Sequence, residues 1–512
     1  MGTTKTSLLS IVLILIVSTI CSFNVAAQDN EDVFEKYRQM VESKFNSTKI
    51  KHDKTFNAYR DSINNAFSEY LKNEWEQTSL NESRPTPNKP EPQPVIDTVS
   101  VITSNPLPHI EPEPEVPITV PTPIVPIIET DPETPPVTPE EPSIIPNVPI
   151  QEEQLFTFNF YGSNCKVNLP IPKELTLSST SYEAISNIWE ELTSGAYDAI
   201  LNDCINYRKE LQLCDWGLYQ FVLAVSDSYF GDADSNEAVM FQMYALSQLG
   251  YKLRLGMQGN RLISLIAFQE QLFAAPYLII ENEPFYFLRD GLRDEGIQIC
   301  DFKFPNESGA SVHIANLPNL PSDSTPKRTI RSLAYPHVSA SISVNRNLIN
   351  FMDTYPCCSW ELFAEASLSK EVKEQLYPSL KKTIANLSEK DAANILLNLV
   401  QTGFEYKTDD EQFGREKTFF GDEPFFYPYC DCEDRSILYA ILVKDLLKLD
   451  VVLLDYPSHI ATAVCFNENI PGDYFNLDGK KYIICDPTYI GAPIGKSMPD
   501  MLNIEANILR IQ

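Results

Sequence analysis

Three residues near the C-terminal end of this 512-residue chain could together activate a nucleophile: Cys432, His459 and Asp486, each separated from the next by 27 positions. Cys432 lies in PYCDCEDRSILYAILVKDLL, where acidic residues crowd the first turn and Ile437, Leu438, Ile441, Leu442 and Leu446 recur on one face. That pattern reads as a loop entering a buried helix, with the thiol at the helix N-terminus. Backbone amides and the positive dipole end there stabilise a thiolate, the nucleophilic form of cysteine. Asp431, Glu433 and Asp434 oppose it by charge, so a cationic imidazole must stand close. His459, one of five histidines, follows Pro457-Ser458 and opens the alternating strand IATAVCF. Asp486 ends the next strand after an Asp478-Gly479 turn, where a carboxylate can orient an imidazole across a strand pair.

The elements that must position these groups are legible around them. Residues 359–406 read as helical and end in LLNLVQTGFEY; a helix from Cys432 to about Leu449 leads to strands at Val451–Leu454, Ile460–Phe466 and Lys481–Cys485. The expected fold class of the C-terminal part is therefore α+β.

DCEDRS resembles the nucleophile motif of the transglutaminase-like superfamily, written G-D-C-E-D-x-[AS], with His and Asp following on successive strands. LVQTGFEYKTDDEQFGREKTFF, YPSHIATAV and YIICDPTYIGAPIG are similar to the same superfamily, in particular its secreted Bacteroidetes-type members. The resemblance covers residues 355–512. It implies a papain-like fold in which Cys432 attacks an amide carbonyl, His459 shuttles the proton and Asp486 holds the imidazole. It makes Asp434 a structural acid and leaves Gln401 as a candidate for the oxyanion site beside the Cys432 amide. Cys430 stands where many relatives have glycine. The implied activity is an exported peptidase or amidase, or an acyltransferase, acting on a peptide or protein amide through a thioester. The alternative is a non-catalytic cell-envelope scaffold on the same fold.

The other thiols allow competing readings. Cys430, Cys432, His459 and Cys485 could hold a metal, but Cys-x-Cys followed by a distant histidine is a poor zinc spacing, so neither metal nor cofactor is expected. A Cys430–Cys485 disulfide would leave Cys432 free.

Upstream, residues 1–27 read as a signal peptide: Lys5, an apolar run from Leu8 to Ile20, then Val25-Ala26-Ala27. Export to the periplasm or cell surface follows, and no later apolar stretch is long enough to span a bilayer. Residues 31–83 carry Phe56, Tyr59, Ile63, Phe67 and Tyr70 at helical spacing, a helical stalk. Residues 84–151 hold most of the 38 prolines and read as an extended spacer. Residues 155–300 repeat the helix-then-strands order of 355–512, with 301–354 a β-rich connection. Placing Ser235 on Cys432, with Asn260 near the His459 position and Asp290 on Asp486, suggests a degenerate, inert copy. A formal charge of −30 and a pI near 4.5 disfavour nucleic acid as a partner.

Overall fold

The computed structural model describes residues 54–86 and 155–511, apart from 172, 174, 290, 294, 295 and 458. The signal peptide, the first part of the stalk and the proline-rich spacer from residue 87 on lie outside the described residues, as does Asp290. Two compact units are present, Met1–Ser62 and Ile63–Gln512, and everything below concerns the second.

The chain is mixed α+β. A helical stretch over 63–71 (α1) leads to β1 (Glu76–Thr78), and then, after the undescribed segment, a hairpin forms from β2 (Leu155–Phe160) and β3 (Ser163–Asn168). Four helices follow: α2 (Tyr182–Leu192), α3 (Ala199–Glu210), α4 (Asp215–Phe230) and α5 (Asn236–Gln248). Their ends are set locally. Ser181 and Ser235 accept from the amides of Ala184 and Ala238 as N-caps, and Gly231 closes α4 in the left-handed region that a Cβ disfavours.

A six-stranded antiparallel sheet comes next, in the order β1-β8-β4-β5-β7-β6, from β4 (Leu253–Gln258), β5 (Arg261–Ala267), β6 (Tyr277–Ile280), β7 (Glu283–Tyr286) and β8 (Ile297–Cys300). The expected stalk therefore ends inside the globular unit. β1 pairs with β8, Trp75 is buried, and Arg84, expected to begin the spacer, accepts on its carbonyl from the Ala274 amide. Phe67 and Leu71, from the apolar stripe of that helix, are fully buried, and Phe67 meets Trp189 of α2 edge-on at 4.6 Å.

Residues 301–354 are less regular than expected: one ladder of β9 (Arg328–Arg331) with β10 (Ser339–Ile342), then α6 (Arg346–Met352). Helices α7 (Trp360–Glu365), α8 (Lys370–Ile384), α9 (Glu389–Gly403), α10 (Asp409–Phe413) and α11 (Cys432–Leu442) lead to a five-stranded antiparallel sheet. Its order is β13-β14-β12-β11-β15, from β11 (Asp450–Tyr456), β12 (His459–Cys465), β13 (Tyr474–Leu477), β14 (Lys480–Cys485) and β15 (Asn507–Arg510).

The two sheets repeat each other strand for strand. Helix α5 then β4-β5-β6-β7-β8 corresponds to α11 then β11-β12-β13-β14-β15, with the same neighbours in each sheet. The registers agree as well. Gln258 faces Arg261 as Tyr456 faces His459; Ile280 faces Glu283 as Leu477 faces Lys480; Tyr277 faces Tyr286 as Tyr474 faces Ile483. Period-two alternation sorts each sheet into two apolar faces: Val451 and Leu453 join the main core, while Val452 and Leu454 form a cluster on the other side. That main core is continuous through both halves.

Candidate functional site

Helix α11 begins where the sequence places it. Asp431 is the extended N-cap, and Cys432 is the first helical residue. Asp434, three positions beyond the cap, reaches back to the Asp431 amide at 3.2 Å and takes the Phe419 amide at 2.9 Å on its other oxygen. Its contacts are thus to backbone that holds the helix start.

His459 opens β12 opposite Tyr456, and the Tyr456 ring lies nearly parallel to the imidazole with centroids 6.3 Å apart. Asp486 follows the last residue of β14, whose Cys485 faces Thr462 on β12. This pairing carries the carboxylate back to the start of β12, where Asp486 Oδ2 and His459 Nε2 meet at 2.9 Å. The second oxygen, Oδ1, accepts from the amides of Thr488 and Tyr489, a turn that fixes the carboxylate before it meets the ring. Burial by itself would pull the imidazole pKa down, but the Asp486 charge and hydrogen bond, with a smaller part from Cys432, outweigh it and push His459 up to about 10. The ring is therefore cationic at neutral pH.

Cys432 lies close enough to that ring to contribute to the rise. Nδ1 nevertheless makes no hydrogen bond of ordinary geometry. The thiol instead donates to Glu433 Oε2 at 3.3 Å. The imidazole thus stands beside a sulfur that turns toward a carboxylate.

Gln401 does not face the thiol. Its amide nitrogen lies 2.8 to 3.0 Å from the carbonyls of Asp486, Tyr489 and Ala492, and its oxygen accepts from Gly491. Its amide hydrogens go to the 486–492 loop, whose path across α9 brings those carbonyls to it. The alternative of a Cys430–Cys485 bridge is not realised: all ten described cysteines are free thiols.

Several residues at the site carry no sequence signal. Asp409 is buried and brings a carboxylate oxygen within 4.8 Å of those of Asp431 and Glu433. Arg435 is also buried and donates to the carbonyls of Gln401 and Phe404, tying α11 to the end of α9. Lys417 and Glu423 form a buried pair at 2.7 Å below the same helix start. The three central side chains are closed off, with 1% of Cys432, 0% of His459 and 2% of Asp486 exposed.

In the first half the corresponding positions differ from the sequence alignment by one residue. Ser235 is an N-cap, the place of Asp431, so Asn236 stands where the thiol is, and hairpin register sets Arg261 in the place of His459. Continuing the β5–β7 register past Ile266 opposite Tyr286 brings Arg289 to the place of Asp486. Asn236 fastens α5 to the hairpin, donating to the Asn260 carbonyl and accepting from the Leu262 amide. No protein-family model, curated protein or solved structure matches the chain.

Proposed function

We propose that the chain is an exported cysteine-dependent amide hydrolase of transglutaminase-like type, acting on peptide or protein amides through Cys432, His459 and Asp486. The observation that carries this reading is the buried His459–Asp486 pair at 2.9 Å, close to a thiol on the first turn of a helix. Such a pair keeps an imidazolium beside the sulfur, and the helix N-terminus favours the thiolate.

The steps balance without a cofactor. The thiolate sulfur bonds to the amide carbonyl carbon; the C–N bond breaks, and the amine leaves with a proton from His459. Water then gives a proton to His459 as its oxygen attacks the thioester, and the carboxylic acid departs with Cys432 restored. An amine in place of water would give transamidation; water is the nucleophile always present outside the cell.

A second reading, a cell-envelope scaffold with an idle triad, draws on the closure of the site. Iodoacetamide at neutral pH, mapped by mass spectrometry in wild type and His459→Ala, separates them. Selective labelling of Cys432 that the variant loses supports the hydrolase; slow, equal labelling of all thiols in both supports the scaffold.

A further inference from the structure

We propose that Asp422 is an acid-closed latch: protonated, it fastens the segment leading to α11 onto the start of α8, and ionised, it loosens that hold. This inference is independent of any chemistry at Cys432.

Asp422 is 1% exposed, and its Oδ1 accepts from the Ser369 amide at 2.9 Å. Ser369 is the N-cap of α8, so the carboxylate ties residues 417–425 to a helix start 53 positions away in the chain. Oδ2, equally enclosed, makes no hydrogen bond. The nearby cations are engaged elsewhere: Lys373 pairs with Asp445 at 2.9 Å and Lys417 with Glu423 at 2.7 Å. The segment is also wedged between two elements. A Cβ added at Gly421 would come within 2.6 Å of Leu368, next to the Ser369 cap, and within 2.9 Å of Ile441 on α11. Two residues earlier, the Phe419 amide reaches Asp434 in the first turn of α11.

A buried carboxylate with one oxygen lacking a donor is tolerated as an acid and costly as an anion. Burial pushes Asp422 up to about 6; the Ser369 hydroxyl and amide oppose the rise in part, Glu371 adds to it, and Lys373 acts weakly against it. The groups that face Asp422 are Glu371, Lys373 and Tyr377 from α8, Asp445 behind Lys373 and Tyr377, and on its own segment Glu423 with its partner Lys417. No histidine is among these. Because the folded group keeps its proton to a higher pH than the ordinary 3.8, the latch is strongest in acid, weakens as pH rises between about 4 and about 6, and stays weak above that. Opening of the segment should therefore become about tenfold more frequent from pH 5 to pH 8.

Hydrogen exchange of the full wild-type chain, read by mass spectrometry at both pH values and corrected for the intrinsic pH dependence of amide exchange, tests this. Protection of residues 417–425 and of the peptide containing Ser369 should fall about tenfold at the higher pH, with the transition centred near pH 6. Asp422→Asn, whose side-chain oxygen can still accept from Ser369, should remove that fall. Glu371→Gln, at an exposed position that leaves the fold intact, should move the transition to lower pH, and this readout does not depend on how well Asp422→Asn folds. An equal fall in wild type and Asp422→Asn, a transition that Glu371→Gln leaves in place, or a fall shared evenly by every segment of the chain would each overturn the proposal.

Discussion

Asp486 meets His459 through Oδ2 at 2.9 Å while its other oxygen is held by the amides of Thr488 and Tyr489. The carboxylate is thus oriented by its own turn, and the imidazole by the carboxylate.

The pairing makes stability depend on pH. His459 has a folded pKa of about 10 against an ordinary 6.5. The Asp486 contribution is therefore fully present below about pH 6.5, shrinks as pH rises and is gone above about 10. Asp486→Asn should lower the urea midpoint more at pH 6 than at pH 10 and slow Cys432 alkylation at pH 7. An equal loss at both pH values would contradict the ion pair.

Gln401 should matter through the loop it holds. Gln401→Leu leaves three buried carbonyls and the Gly491 amide short of a partner, an expected loss of about 3 kcal/mol in urea unfolding, with Cys432 labelling disturbed as a consequence. A loss of reactivity with unchanged stability would restore the oxyanion role.

Below α11, Lys417→Met would strand the buried Glu423 carboxylate at an expected cost of about 3–5 kcal/mol. Adding Glu423→Gln should recover most of it, because the amide oxygen can still accept from Phe420. Calorimetric unfolding of the two variants measures the recovery.

Trp75 tests where the globular unit begins. It is buried, stacks on Tyr182 at 5.5 Å and donates to the Leu71 carbonyl. Trp75→Ala should cost about 3–5 kcal/mol. A change near zero would return this segment to a stalk.

The ten described cysteines should all titrate as thiols in denaturant, with the same count before and after reductant. Two fewer thiols before reduction would show a disulfide.

The local pattern was enough to predict the helix at Cys432, the strand opening at His459 and the strand ending before Asp486, because apolar period and turn residues act over a few positions. The repeated order of elements was legible for the same reason. Its register was not: Ser235 as a cap, and Arg261 and Arg289 in the places of His459 and Asp486, depend on which residues face each other across a ladder. A one-residue slip there changes every equivalence. The sequence by itself therefore determined the three candidate residues, the order of the elements and the acidity around the thiol. Tertiary structure decided which oxygen each hydrogen bond reaches: Glu433 for the thiol, the 486–492 loop for Gln401, Asp234 for Arg289. Those choices join residues far apart in the chain or turn on side-chain direction, and neither is encoded in local periodicity.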